Sequence, residues 1–162
     1  MDVSLFRWLN ALAGVSATGD FLIVVLAKYL PYALGAVFVC MLLFWKESLG
    51  RKMRLTVETG ISVVLSRFIL TPLIRFYIYR ARPFLALENV HNLLASHKAG
   101  SSFPSGHATF FFALAMSVCF YDKRWGAIFF ISAILITISR VIAGVHYPAD
   151  IAAGFVVAVC AA

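Results

Sequence analysis

Three groups of residues carry side chains suited to nucleophilic and acid–base chemistry at spacings that matter. The first is Arg75-Phe-Tyr-Ile-Tyr-Arg-Ala-Arg82-Pro83, and the second is Pro104-Ser105-Gly106-His107. The third is Ser139-Arg140, five residues, His146, three residues and Asp150. Arg75, Arg82 and Arg140 supply planar forks that match phosphate oxygens and stay charged at any working pH. Pro104 ends a loop, and Ser105 is placed to cap a helix whose first turn holds Gly106 and His107, so free backbone N–H groups and a positive dipole end face any nearby anion. Pro148 suits the first position of a further helix, with Asp150 in its first turn and His146 just before it. That spacing lets Asp150 accept from one imidazole nitrogen of His146 and leaves the other free to attack. His107, arriving on another helix, could protonate a leaving oxygen.

The elements that must position these groups are membrane helices. Of 162 residues, 62% are hydrophobic and 13% charged, and the mean hydropathy is +0.92. An ordinary soluble domain is roughly 45–50% apolar and about 25% charged. This composition argues against a soluble enzyme, a disordered tail and a coiled coil. It predicts an all-α, polytopic membrane bundle forming a single domain over 1–162, and the length suits about five spanning helices of ~20 residues.

Residues 3–12 predict a short interfacial helix with Trp8 at headgroup depth. Apolar runs over 21–45 and about 55–79 predict two spans, followed by a polar loop over 80–104. Residues 107–121 and 125–143 predict two more. The last run, 148–162, would rise only ~22 Å against the ~30 Å of hydrocarbon, and it carries no terminal anchor, so the natural chain is expected to continue further. No removable leader is expected at the N-terminus, which lacks a basic start and a small-residue cleavage site. Cys40, Cys119 and Cys160 each sit in an apolar run and are expected to be buried small hydrophobes rather than disulfide or zinc ligands.

The net charge is +7. Because the basic residues are scattered between apolar runs, the expected partners are membrane lipids and anionic lipid phosphate or diphosphate rather than nucleic acid. Lys46, Arg51, Lys52, Arg54, Lys123 and Arg124 lie in two short connections that the positive-inside rule assigns to the cytoplasm. Alternation then sends all three polar clusters to the outer face. Ionisable groups at membrane depth are expensive and mark function by default, and their convergence favours catalysis over polar groups that merely glue helices together. Two histidines and an aspartate could also hold zinc. The adjoining arginines would repel a cation, so neither a metal nor a cofactor is expected.

The three clusters together resemble the signature of the type 2 phosphatidic-acid phosphatase family, integral-membrane lipid phosphatases related to vanadium haloperoxidases. That signature is Lys-x6-Arg-Pro, then Pro-Ser-Gly-His, then Ser-Arg-x5-His-x3-Asp. The second and third motifs match at every specified position, while Arg75 stands where the family usually has Lys. The resemblance implies that His146 is the nucleophile forming a phosphohistidine, that Asp150 orients it, and that His107 is the general acid. It also implies that Arg75, Arg82, Ser105, Gly106 and Arg140 bind the phosphoryl oxygens, with no metal required.

Three further segments are similar to the bacterial undecaprenyl-diphosphate phosphatase branch. They are Phe6-Arg-Trp-Leu-Asn10-Ala-Leu-Ala-Gly14, Ala27-Lys-Tyr-Leu-Pro31-Tyr32 and Val90-His91-Asn-Leu-Leu-Ala-Ser-His97. That branch often has Asp at the place of Gly106. The implied activity is cleavage of undecaprenyl diphosphate to undecaprenyl phosphate in a bacterial inner membrane, from the periplasmic or outer side. Peptidoglycan precursor recycling and bacitracin resistance would follow from it. The same chemistry would also suit phosphatidic acid, phosphatidylglycerophosphate or lipid A, and from another class an anionic-lipid transporter or scramblase remains open.

Residues outside the signature carry plainer expectations. His91 and His97 are expected to be solvated or at the edge of the substrate. Arg67, at helical spacing with Thr71 and Arg75, is expected to be a buried structural partner of Glu58 or of a backbone carbonyl rather than a substrate contact, which is the alternative. Ser139 either donates to phosphate or bonds within its own helix. Phe110, Phe111 and Phe112 face lipid, fill the core or line an acyl-chain groove.

Overall fold

The computed structural model describes residues 1–94 and 100–162. The described residues form helices and loops: α1 (Asp2–Asn10), α2 (Ala17–Phe44), α3 (Leu49–Tyr77), α4 (Pro83–Ala86), α5 (Gly106–Tyr121), α6 (Lys123–Ile142) and α7 (Pro148–Ala161). Helices α2, α3 and α6 are long and apolar enough to cross a membrane, whereas α5 and α7 are apolar helices of 16 and 14 residues.

α5 lies at the centre, packed on α3, α6 and α7. Small residues permit that approach. A Cβ at Gly126 would sit 2.5 Å from the Cα of Cys119, which closes the α5–α6 hairpin. One at Gly154 would sit 2.6 Å from the Cβ of Ala108, which seats α7 on α5. Asp122 caps α6 by accepting from the N–H groups of Arg124 (2.8 Å) and Trp125 (3.1 Å). The core gathers Leu34, Met41, Leu55, Phe111, Phe112, Val118, Phe129 and Ile136.

Large apolar side chains such as Phe44, Ile69, Phe76 and Ile131 are exposed on the outside of the bundle, as a lipid-facing surface requires. For the same reason the cysteine expectation is corrected. Cys40 and Cys160 are exposed and Cys119 is half-buried, because in a membrane helix an apolar run faces lipid as readily as the core.

Both long N-terminal helices widen locally into π geometry, at Val25–Tyr29 in α2 and Val64–Leu70 in α3. A proline follows each, Pro31 and Pro72. Proline has no N–H for the carbonyl four residues back and crowds it, and a wider turn relieves that crowding. The Ala27 carbonyl, which Pro31 cannot satisfy, accepts instead from Nη1 of Arg140 (3.2 Å). In α3 the Ser66 carbonyl accepts from the Thr71 hydroxyl (2.7 Å).

α1 does more than lie in an interface. Trp8 is exposed, but Phe6 is fully buried with its ring 5.4 Å from that of Tyr147. The Asn10 amide donates to the carbonyls of His91 (2.9 Å) and Ile142 (2.8 Å) and accepts from the His91 N–H (3.0 Å). The N-terminal helix is therefore clamped to the segment that holds the third motif.

Candidate active site

The three motifs meet at one end of the bundle, where α3 ends, α5 begins and the α6–α7 turn passes. Backbone bonds tie them: Ser105 N–H donates to the Asp150 carbonyl (3.0 Å), and Ser102 N–H to the Arg80 carbonyl (2.7 Å). At the opposite end Glu58 pairs with Arg54 (2.8 Å) and accepts from the Tyr121 hydroxyl (2.6 Å).

Asp150 is the centre of the polar network. It is fully buried, and a carboxylate there must be satisfied by donors. Its Oδ2 accepts from the Tyr147 N–H (2.8 Å) and from the Ser102 hydroxyl, and lies 3.5 Å from Nδ1 of His146. Its Oδ1 accepts from Nη1 of Arg80 (2.9 Å). The Ser102 hydroxyl also lies 3.4 Å from the same imidazole nitrogen. Nδ1 thus faces Asp150 and Ser102, which directs Nε2 away from them. His146 is buried, and burial pushes its imidazole down to about 4. Asp150 opposes that shift, while the charges of Arg140 and Arg82 reinforce it. The ring is therefore neutral, with a lone pair to give, throughout the neutral range.

Arg80 is itself held on three sides. Its Nη2 donates to Asp2 (2.5 Å) and its guanidinium stacks 3.7 Å from the centre of the Tyr147 ring. Asp2 accepts as well from the Ala149 N–H (2.9 Å), in the first turn of α7. A chain of contacts therefore runs from the start of α1 through Arg80 to Asp150 and His146.

Around this core stand the other predicted residues. Arg82 donates to the Val145 carbonyl (3.2 Å), and burial lowers its basicity while Asp150 sustains it. Arg75 donates to the Pro104 carbonyl (2.8 Å). Nε of Arg75, Nε of Arg82 and the Ser105 hydroxyl are buried without a hydrogen-bond partner among the described residues. Buried orphan donors are rare, and phosphoryl oxygens would satisfy these. Gly106, His107 and Arg140 line a cavity of about 570 Å³ with Arg67, Lys28, Phe110 and Phe111. Arg140 connects the two regions, since it lines this cavity while its charge bears on His146.

Ser105 and Arg67 depart from expectation, whereas Ser139 and His91 fall within it. Ser105 occupies the capping position of α5, but its side chain makes no capping bond. The hydroxyl of Ser139 donates to the Ile136 carbonyl (2.8 Å), so it bonds within its own helix. Arg67 is not the partner of Glu58, which Arg54 and Tyr121 already occupy; it turns into the cavity beside Gly106. His91 is exposed, with its ring against Gly14, and His97 lies outside the described residues.

The sequence motifs do not single out Arg80 and Ser102. Each lies inside or beside a motif at a position the motif leaves unspecified. The signal that could have found them is a second cation and a second hydroxyl close to a carboxylate that must be buried.

Known proteins resemble the chain over most of its length. The chain is 28% identical over 162 residues to the bacitracin transport permease protein BcrC of Bacillus licheniformis, covering 100% of this chain and 77% of that one. It is 27% identical over 159 residues to undecaprenyl-diphosphatase BcrC of Bacillus subtilis, covering 98% and 79%. To an undecaprenyl-diphosphatase of Sulfolobus acidocaldarius it is 31% identical over 155 residues, covering 95% and 71%. Among solved structures, Aquifex aeolicus LpxE superposes with a TM-score of 0.80 at 25% identity, covering 99% of this chain and 91% of that one. The profile of the PAP2 superfamily matches residues 55–162, which hold all three motifs, and the chain belongs to that superfamily.

Proposed function

We propose that this chain is a multi-pass membrane lipid phosphatase that hydrolyses undecaprenyl diphosphate to undecaprenyl phosphate and phosphate, working at the outer, periplasmic side of a bacterial inner membrane. Its role there is to return the carrier lipid to peptidoglycan synthesis, and bacitracin resistance is the expected phenotype. The observation that carries the reading is His146: buried, backed at Nδ1 by Asp150 and Ser102, with Arg82 and Arg140 close enough for their charges to act on it.

In this reading Nε2 of His146 attacks the terminal phosphorus. The bond to the bridging oxygen breaks, its electron pair stays on that oxygen, and His107 supplies a proton. Asp150 stabilises the imidazolium as charge leaves the ring. Arg75, Arg82 and Arg140, with Ser105 and the Gly106 backbone, hold the equatorial oxygens as they gain charge. Water then attacks the phosphohistidine and gives its proton to His107, and the nitrogen–phosphorus electron pair returns to Nε2. Each step balances with water as the only co-reactant.

Whole-chain similarity to proteins named undecaprenyl-diphosphatase supports the substrate. The superposition on LpxE, together with matches of 33% identity over 93 residues to proteins named lipid A 1-phosphatase, favours lipid A as the second reading. The test is phosphate release by the purified chain in detergent and chelator, on undecaprenyl diphosphate, phosphatidic acid, phosphatidylglycerophosphate and lipid A. The reading expects the diphosphate to give the highest kcat/KM, unaffected by chelation. Preference for lipid A establishes the second reading, and release from none of the four refutes both.

A further inference from the structure

Two cations at membrane depth, Lys28 and Arg67, belong to none of the three motifs. Each lies in one of the two π segments, Val25–Tyr29 and Val64–Leu70, and such insertions recur at functional sites. Both line the cavity of about 570 Å³ with His107 and Arg140. Gly106 is what admits Arg67: a Cβ there would lie 2.8 Å from Cζ and Nε of the guanidinium. Arg67 therefore lies across the first turn of α5, beside His107.

No acidic residue is among the described residues lining this cavity. Among the described residues neither Lys28 nor Arg67 makes an ion pair; their neighbours are the rings of Tyr29 (5.5 Å) and Phe68 (5.6 Å). The charge of Arg67 repels both Arg75 and Arg140. Gathering repelling cations inside a membrane is costly unless an anion comes between them. One phosphoryl group at His146 would use Arg75, Arg82 and Arg140, and Arg67 and Lys28 remain for a second.

We propose that Arg67 and Lys28 form a second phosphate subsite, which holds the phosphate that stays on the lipid when a prenyl diphosphate is cleaved. The inference rests on the diphosphate reading above and adds how a diphosphate is told from a monophosphate. When Nε2 of His146 attacks the terminal phosphorus, the bond from that phosphorus to the bridging oxygen breaks, the oxygen keeps the electron pair and stays on the retained phosphate, and the new charge falls on a group the two cations face. With phosphatidic acid the leaving group is an alcohol oxygen, which depends on the proton from His107 and has no phosphate to offer this subsite. Phe68, Phe110 and Phe111 line the same cavity, where the lipid chain would continue.

The test compares kcat/KM of the full chain on undecaprenyl diphosphate and on phosphatidic acid, for wild type, Arg67→Gln and Lys28→Gln. Removing a donor from a developing anion costs about 100-fold. Arg67→Gln should therefore lower turnover of the diphosphate about 100-fold and of phosphatidic acid far less, so the ratio of the two falls by at least about 30-fold. Lys28→Gln should lower the ratio in the same direction by about 10-fold. If Arg67→Gln is inactive on both lipids, the ratio in Lys28→Gln decides. A ratio unchanged within about threefold overturns the subsite, whether overall activity is kept or lost. Absence of wild-type turnover on the diphosphate refutes instead the functional reading on which the subsite rests.

Discussion

Replacing Arg80 by alanine tests whether a residue outside the motif positions controls the proposed catalytic pair, His146 and Asp150. The change removes the 2.9 Å bond to Asp150, the 2.5 Å bond to Asp2 and the stacking on Tyr147 at 3.7 Å. Asp150 keeps the Ser102 hydroxyl, the Tyr147 N–H and His146, so the carboxylate stays buried but loses its only ion-pair partner other than His146 among the described residues. A charge-assisted bond of this kind contributes about 1.5–3 kcal/mol, which corresponds to roughly 10–100-fold in rate if it acts on the transition state. Because Arg80 reaches the reaction through Asp150, the loss belongs in kcat, with KM within about threefold of wild type.

The pH profile supplies a sign that a merely structural role would not give. Without Arg80 the Asp150 charge is less neutralised and favours the His146 imidazolium, so the acid limb of kcat/KM moves to higher pH. Asp2→Asn, one contact further out, should cost only a few-fold, and should add little in the Arg80→Ala background because the two act through one chain of contacts. The assay is steady-state phosphate release across pH for the four proteins. Wild-type kcat in Arg80→Ala, or a loss confined to KM, would refute the reasoning; the second result would mean that Arg80 touches the phosphate itself.

Three other outcomes follow from the same geometry. Burial holds His146 down at about 4, so its imidazole stays neutral above that value; if it is the nucleophile, as proposed, wild-type kcat/KM should hold as pH falls below 6.5 and drop only towards 4, as a pH–rate profile will show. Arg75→Lys should retain activity within about tenfold, since the charge survives and only the bond to Pro104 and the planar fork are lost; a kinetic comparison on one lipid decides. A cysteine placed in the connection between α2 and α3, in a background without Cys40, Cys119 and Cys160, should react with an impermeant thiol reagent only from the cytoplasmic side, and labelling of intact cells would reverse the orientation.

Much of the fold is legible because apolar runs in lipid have few alternatives. The expected span over 107–121 lies within Gly106–Tyr121, and that over 21–45 lies within Ala17–Phe44 except for Trp45, since unsatisfied backbone cannot face hydrocarbon. The π segments are not legible from hydropathy, yet Pro31 and Pro72 mark where an α-helical ladder must break. The third motif is readable because His146 and Asp150 are four residues apart across a helix start, which fixes their relation locally. The partners that arrive through space are not. Asp2 reaches Arg80 across 78 residues, and the Ser102 hydroxyl reaches Asp150 across 48; no local pattern encodes either. Arg67 misleads for a similar reason, because helical spacing gives its face but not the widened turn and the glycine that aim it into the cavity.

The central claim is that residue 146 becomes covalently phosphorylated during turnover. It is met most directly by mixing purified protein with undecaprenyl diphosphate, quenching in alkali within milliseconds, and locating the phosphate by mass spectrometry. An acid-labile, alkali-stable phosphate is expected on His146, and it should vanish in His146→Ala together with phosphate release. Turnover by His146→Ala, or a phosphate found on another residue, would contradict it.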